Sequence, residues 1–99
     1  MQKNNQPIEG DDKIQKKIKV RNKLGLHARP AALLVQTVSK FEADISITKG
    51  SKKVNGKSIM GVMMLAAGPE SVLNVEITGP DAHGMMEAVE DLFDRNFDE

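Results

Sequence analysis

Residues 14–39 read IQKKIKVRNKLGLHARPAALLVQTVS, and the spacing of the apolar side chains changes within them. Ile14, Ile18 and Val20 alternate with Gln15, Lys17, Lys19 and Arg21, and only Lys16 breaks the pattern. A period of two with one polar face predicts a strand over 14–21 in an antiparallel sheet that leaves one face wet. From Ala31 the period becomes helical: Ala31, Leu34, Val35 and Val38 follow the i, i+3, i+4, i+7 rule. The helix is predicted to open at Arg29-Pro30 and to reach about Ser39. Pro is harmless in a first turn, where its missing N–H would have had no partner.

The same reading extends outward in both directions. Residues 1–12 (MQKNNQPIEGDD) are polar, carry Pro7 and Gly10 and show no period, so they read as a flexible tail before a domain over 13–99. Downstream, Ala43, Ile45 and Ile47 face inward from a strand over 43–48, and Gly50-Ser51 turns into a short strand over 52–54. Ser58 is a good N-cap for a short second helix ending before Gly68-Pro69. Leu73, Val75 and Ile77 point inward from a strand over 72–78. A third helix starts near Asp81, presents Met85, Ala88, Val89 and Leu92, and ends near Arg95. The order is βαββαβα, an α+β fold with a four-stranded antiparallel sheet and helices on one side.

Bulk properties narrow the function. Ninety-nine residues allow one domain and one modest core. Fourteen basic residues balance 14 acidic ones, and the aromatic residues are Phe41, Phe93 and Phe97, which argues against nucleic-acid binding. The absence of Cys excludes disulfides, thiol nucleophiles and thiolate metal sites. The charged first 17 residues do not read as a secretory signal. The longest apolar run, 59–67, falls well short of the roughly 20 residues a bilayer span needs. A soluble, cytoplasmic protein without membrane insertion is expected.

The chemistry-bearing segment is the loop between first strand and first helix. His27 stands at the predicted helix N-terminus, where the positive end of the macrodipole disfavours an imidazolium. A neutral imidazole has a lone pair and can act as a nucleophile. If it attacked phosphorus, the new dianion would meet the free backbone N–H groups of Ala28 and Arg29. The Arg29 guanidinium could add a planar set of donors, and Gly25 frees the preceding turn. An isolated His before a helix more often caps it or packs against it, so spacing does not decide the matter.

Three segments together resemble a known family. They are Gly25-Leu26-His27-Ala28-Arg29-Pro30-Ala31, then Leu34-Val35-Gln36-Thr37 with Ser39-Lys40, and Val54 to Met63 (VNGKSIMGVM). They look like the signatures of the histidine-containing phosphocarrier proteins, HPr, of the bacterial phosphoenolpyruvate-dependent phosphotransferase system. The likeness runs from about Ile14 to the C-terminus. It implies an open-faced β-sandwich, phosphorylation of His27 at Nδ1, and Arg29 as its partner. It further implies enzyme I as donor, an enzyme IIA as acceptor, and no cofactor or metal. The protein would be a carrier rather than an enzyme, and a docking carrier is expected to be monomeric.

The second helix is too apolar for its length. Val62 and Leu65 suit the core, which leaves Ile59, Met60 and Met63 as a surplus expected to form a partner surface. Ala28 and Ala32 would join that surface from the first helix. By the resemblance, Ser58 matches the position phosphorylated by HPr kinase in some members; a plain N-cap explains the same residue. A regulatory binding protein controlled at Ser58 is therefore the alternative to a carrier. Leu24 stands where sugar-pathway members often have Asn or Ser. Asn22-Lys23-Leu24-Gly25 and the ending of the chain look more like the nitrogen-related branch, so the pathway stays open. His83 and the acidic residues Glu87, Glu90, Asp91, Asp94, Asp98 and Glu99 read as solvated surface.

Overall fold

The computed structural model describes residues 12–99, so the expected tail over 1–12 lies outside it except for Asp12. β1 is Asp12–Lys19, α1 Ala28–Val38, β2 Asp44–Lys49, β3 Lys52–Asn55, α2 Ile59–Met64, β4 Val72–Gly79 and α3 Ala82–Asp94. The predicted order holds, and most boundaries move by a residue or two. The larger change is in α2, which spans only Ile59–Met64 because Leu65 to Ala67 already turn toward β4.

The four strands form one antiparallel sheet in the order β1-β4-β2-β3. Register explains its two faces. Ile14, Lys16 and Ile18 lie opposite Ile77, Val75 and Leu73, and Ile45 and Ile47 lie opposite Ile77 and Val75 on the other side of β4. This face packs on Leu34, Val38, Val62, Leu65, Met85, Val89 and Leu92 of the helices. Lys16 thus sits on the core side after all. It occupies the β1 edge, and its Nζ reaches Glu90 of α3 at 3.0 Å. Glu90, expected to be solvated, is therefore an ion-pair partner. On the wet face Glu76 pairs with Lys13 at 3.0 Å and Lys53 at 3.6 Å. Mainly through Lys13, these cations hold its carboxyl below the usual range.

Two features tie the connection between α1 and β2 to the turn after β4. Asp81 accepts hydrogen bonds from Glu42 N at 2.9 Å and Ala43 N at 2.8 Å, which holds its carboxyl below its ordinary value. Gly79, at φ +150°, lets β4 approach Ala43, since a Cβ there would lie 2.6 Å from the Ala43 Cα. Because the folded pKa lies below the unfolded one, the stabilisation is complete above about pH 4 and disappears as pH falls through the folded value. Urea midpoints of wild type and Asp81→Ala should thus differ most at pH 6, and the gap should narrow in strong acid. A gap that widened on acidification would contradict the assignment.

After α3 the chain makes a left-handed turn at Asn96, Phe97 and Asp98, with φ of 53°, 55° and 61°. Asn and Asp tolerate this conformation better than most residues, but Phe does not. Phe97 is held by burial and by edge-on packing against Phe93, with centroids 4.8 Å apart and planes at 70°. The turn carries the chain back from the core toward the start of α1.

Candidate functional site

The loop between β1 and α1 is fastened along one side. Val20 N donates to Ser71 O at 2.8 Å, Glu70 N to Val20 O at 2.7 Å, and Leu26 N to Ala67 O at 2.8 Å. Gly25 takes φ +69°, and a Cβ there would lie 2.3 Å from Ala67 O. Leu26 is buried beneath the loop, while Leu24 is 69% exposed above it. Pinned in this way, the chain enters α1 through His27 in an extended conformation.

His27 is the N-cap residue, but its side chain caps nothing. Its carbonyl accepts from Ala31 N at 3.0 Å, so the helix is started by backbone alone. The amides of Ala28 and Arg29 precede the first intrahelical bond, and Pro30 has no N–H to leave over. The ring is 37% exposed, and its Nε2 lies 3.1 Å from Oε2 of Glu99. A carboxylate only accepts, so in a neutral ring this contact places the proton on Nε2 and leaves the lone pair on Nδ1. The other Glu99 oxygen receives Asn22 Nδ2 at 3.3 Å, and the same nitrogen donates to Gly25 O at 2.6 Å.

Two depressions meet at the ring. One, about 760 Å³, is lined by Arg21, Asn22, Lys23, Leu24, His27, Arg29, Asn96 and Glu99. The other, about 300 Å³, runs past Leu24, Leu26, Met63 and Ala66 to Gly68. His27 and Leu24 belong to both. The first is cationic at its rim, which suits an anion; the second leads to the apolar side of α2.

The expected site residues distribute accordingly. His27 and Arg29 line one depression, Ala28 between them is exposed at the start of α1, and Ala32 is half-buried further along α1. Ile59, Met60 and Met63 are exposed on α2, with Val62 and Leu65 buried as expected. Met64, 61% exposed, belongs with them and was not singled out from the sequence. Ser58 Oγ accepts from Gly61 N at 3.0 Å and caps α2. Glu99 corrects the sequence reading: it is not a solvated tail but the partner of His27. Asn22, read from the sequence only as part of the Asn22-Lys23-Leu24-Gly25 segment, belongs to the site as well; a lone amide in a loop next to an apolar strand end is a signal for it. His83 is exposed elsewhere and pairs with Asp12 at 3.2 Å. Among the described residues no three His, Asp or Glu side chains converge as a metal site, and no helix is long and apolar enough to cross a membrane.

The profile described as "PTS HPr component phosphorylation site" matches residues 14–95. The chain belongs to the HPr family. It is therefore a phosphocarrier protein of the phosphotransferase system and not a catalytic enzyme. Phosphocarrier protein HPr of Xylella fastidiosa is 48% identical over 86 residues, covering 87% of this chain and 97% of the relative. The HPr-like protein Crh of Halalkalibacterium halodurans is 47% identical over 76 residues, covering 77% of this chain and 90% of its own. The crystal structure of HPr-C-His from Thermoanaerobacter tengcongensis superposes with a TM-score of 0.84 at 45% identity, covering 87% of this chain and 97% of that one. That HPr structure shares the open four-stranded sheet with three helices described above. Within this HPr chain, Leu24 adds an apolar surface between the two depressions.

Proposed function

We propose that His27 accepts a phosphoryl group from enzyme I on Nδ1 and passes it to an enzyme IIA in the cytoplasm, the carrier unit being residues 13–99. The observation that carries this reading is the Glu99 contact at Nε2, which in a neutral ring leaves the lone pair on Nδ1, in a depression that Arg29 also lines. The Nδ1 lone pair forms the N–P bond while the bond from phosphorus to the donor breaks and its electron pair stays with the donor. The ring then bears Nδ1–phosphoryl and Nε2–H together, so positive charge develops on it. The Glu99 carboxylate offsets that charge, and the Arg29 guanidinium and helix amides face the dianion. Onward transfer reverses the same steps toward the acceptor. The exposed Ile59, Met60, Met63 and Met64, with Ala28 and Ala32 beside them, supply the docking surface for both partners.

The test is to incubate the protein with phosphoenolpyruvate and enzyme I and to map the product. An acid-labile, alkali-stable phosphate on the peptide containing His27 supports the proposal. An acid-stable phosphate, or one mapped elsewhere, overturns it. Glu99→Gln keeps the shape and removes the charge. Loss of one charge-assisted hydrogen bond, about 1.5 kcal/mol, corresponds to transfer slowed by roughly tenfold in single-turnover assays.

Ser58 supports a second reading, regulation by an HPr kinase. A phosphate there would lose the neutral cap on Gly61 N and place a dianion next to Ile59 and Met60, hindering apolar partners. Treatment with HPr kinase and ATP should label Ser58 and slow transfer to enzyme IIA; no label on Ser58 removes this reading.

A further inference from the structure

We propose that Asn22 is a positioning residue for His27, acting through Glu99. The proposal rests on His27 as the site of phosphoryl transfer and concerns what holds its ring in the reactive tautomer. Asn22 is the polar residue buried in the described core, at 3% exposure, and its Oδ1 has no hydrogen-bond partner among the described residues. A buried amide oxygen left unpaired is unfavourable, a cost that an apolar side chain of similar size would avoid. The amide nitrogen is what the structure uses. Nδ2 bridges Gly25 O at 2.6 Å and Glu99 Oε1 at 3.3 Å, and Glu99 Oε2 holds His27 Nε2 at 3.1 Å.

The bridge joins two stretches far apart in sequence: the entry loop leading to the N-cap of α1, and the segment after the left-handed turn. Glu99 alone is a side chain with rotational freedom, and a freely rotating carboxylate would not select one ring nitrogen. With Oε1 held from inside the core, Oε2 points at Nε2, which leaves the proton there and the lone pair on Nδ1. The order Asn22–Glu99–His27 thus acts as a two-link orienter, the role a buried carboxylate plays toward a catalytic imidazole. Arg21 and Lys23, on either side of Asn22, line the same depression, so the buried amide also sets where these two cations stand.

The experiment uses full-length, ¹⁵N-labelled protein. Ring nitrogen shifts report the His27 tautomer without any phosphoryl donor. Wild type should show the Nε2–H form, and Asn22→Ala should show a mixture of both forms. Transfer from enzyme I should fall about threefold in kcat, a coupling of the size contacting groups show, with KM unchanged. In the Glu99→Ala background the same substitution should change the rate by little, because the path to His27 is already broken. If Asn22→Ala does not fold, judged by amide shifts in α3 and β4, Glu99→Ala takes its place. Asn22 side-chain protons should then shift and exchange faster, and the ring should again show both tautomers. An unchanged tautomer in either variant, or a full additive rate loss in the double variant, overturns the proposal. A wild-type protein that shows the Nε2–H form but takes no label would end the carrier reading and leave the positioning role standing.

Discussion

His27→Ala should fold but accept no acid-labile phosphate from enzyme I. The ring is more than a third exposed, and its described polar contact is the one to Glu99. Removing it should shift the melting temperature by no more than about 4 °C, the range for a surface change of roughly 0.5 kcal/mol. Transfer, in contrast, should fall by at least about three orders of magnitude, because no other group in the depression can replace an imidazole nucleophile. Arg21, Lys23 and Arg29 are cationic donors without a lone pair to offer, and a carboxylate at Glu99 would face the incoming dianion with like charge. His83 stands at the start of α3 beside Asp12, away from the lining of this site. Gel-shift or phosphorus NMR detection with phosphoenolpyruvate and enzyme I reads the result directly. Equal labelling of wild type and variant would remove His27 from the reaction.

Gly25→Val should be strongly destabilising. Its effect comes from backbone rather than from any lost side chain. At φ +69° a β-branched residue is strained by about 1–2 kcal/mol before neighbours are considered. The Cβ would also lie 2.3 Å from Ala67 O and 2.8 Å from Gly68 Cα, both backbone atoms that cannot swing aside. The loop must therefore lift. That breaks the Leu26 N to Ala67 O bond, worth about 1 kcal/mol net, and draws Leu26 out of the core. A total loss of about 3–5 kcal/mol is expected, a large part of the 5–15 kcal/mol typical of a domain. Urea denaturation of the two proteins measures it, and a loss below about 1 kcal/mol would show that the loop is free to move. Whatever fraction still folds should transfer slowly, since the same loop delivers Asn22 and His27.

The sheet, the three helices and their order could be read from apolar spacing, because burial of one face imposes its period on each element separately. His27 and Arg29 were legible for a different reason: they lie within a few residues of each other on either side of a helix start, where local geometry brings them together. Ile59, Met60 and Met63 were legible as a surplus, since two turns of helix cannot bury six apolar side chains. Lys16 looked like an exception only because its partner, Glu90, is 74 residues away.

What periodicity specified here is therefore local: which stretches are strands or helices, which face of each is apolar, and where an imidazole meets a helix end. Strand order, the left-handed turn at Asn96–Asp98 and the contact of Glu99 with His27 across 72 residues came from long-range packing. A backbone pattern repeats every two or 3.6 residues and is written in neighbouring side chains. A bridge from Asn22 to Glu99 depends on where Phe97 is buried, and that is settled only when the whole core closes.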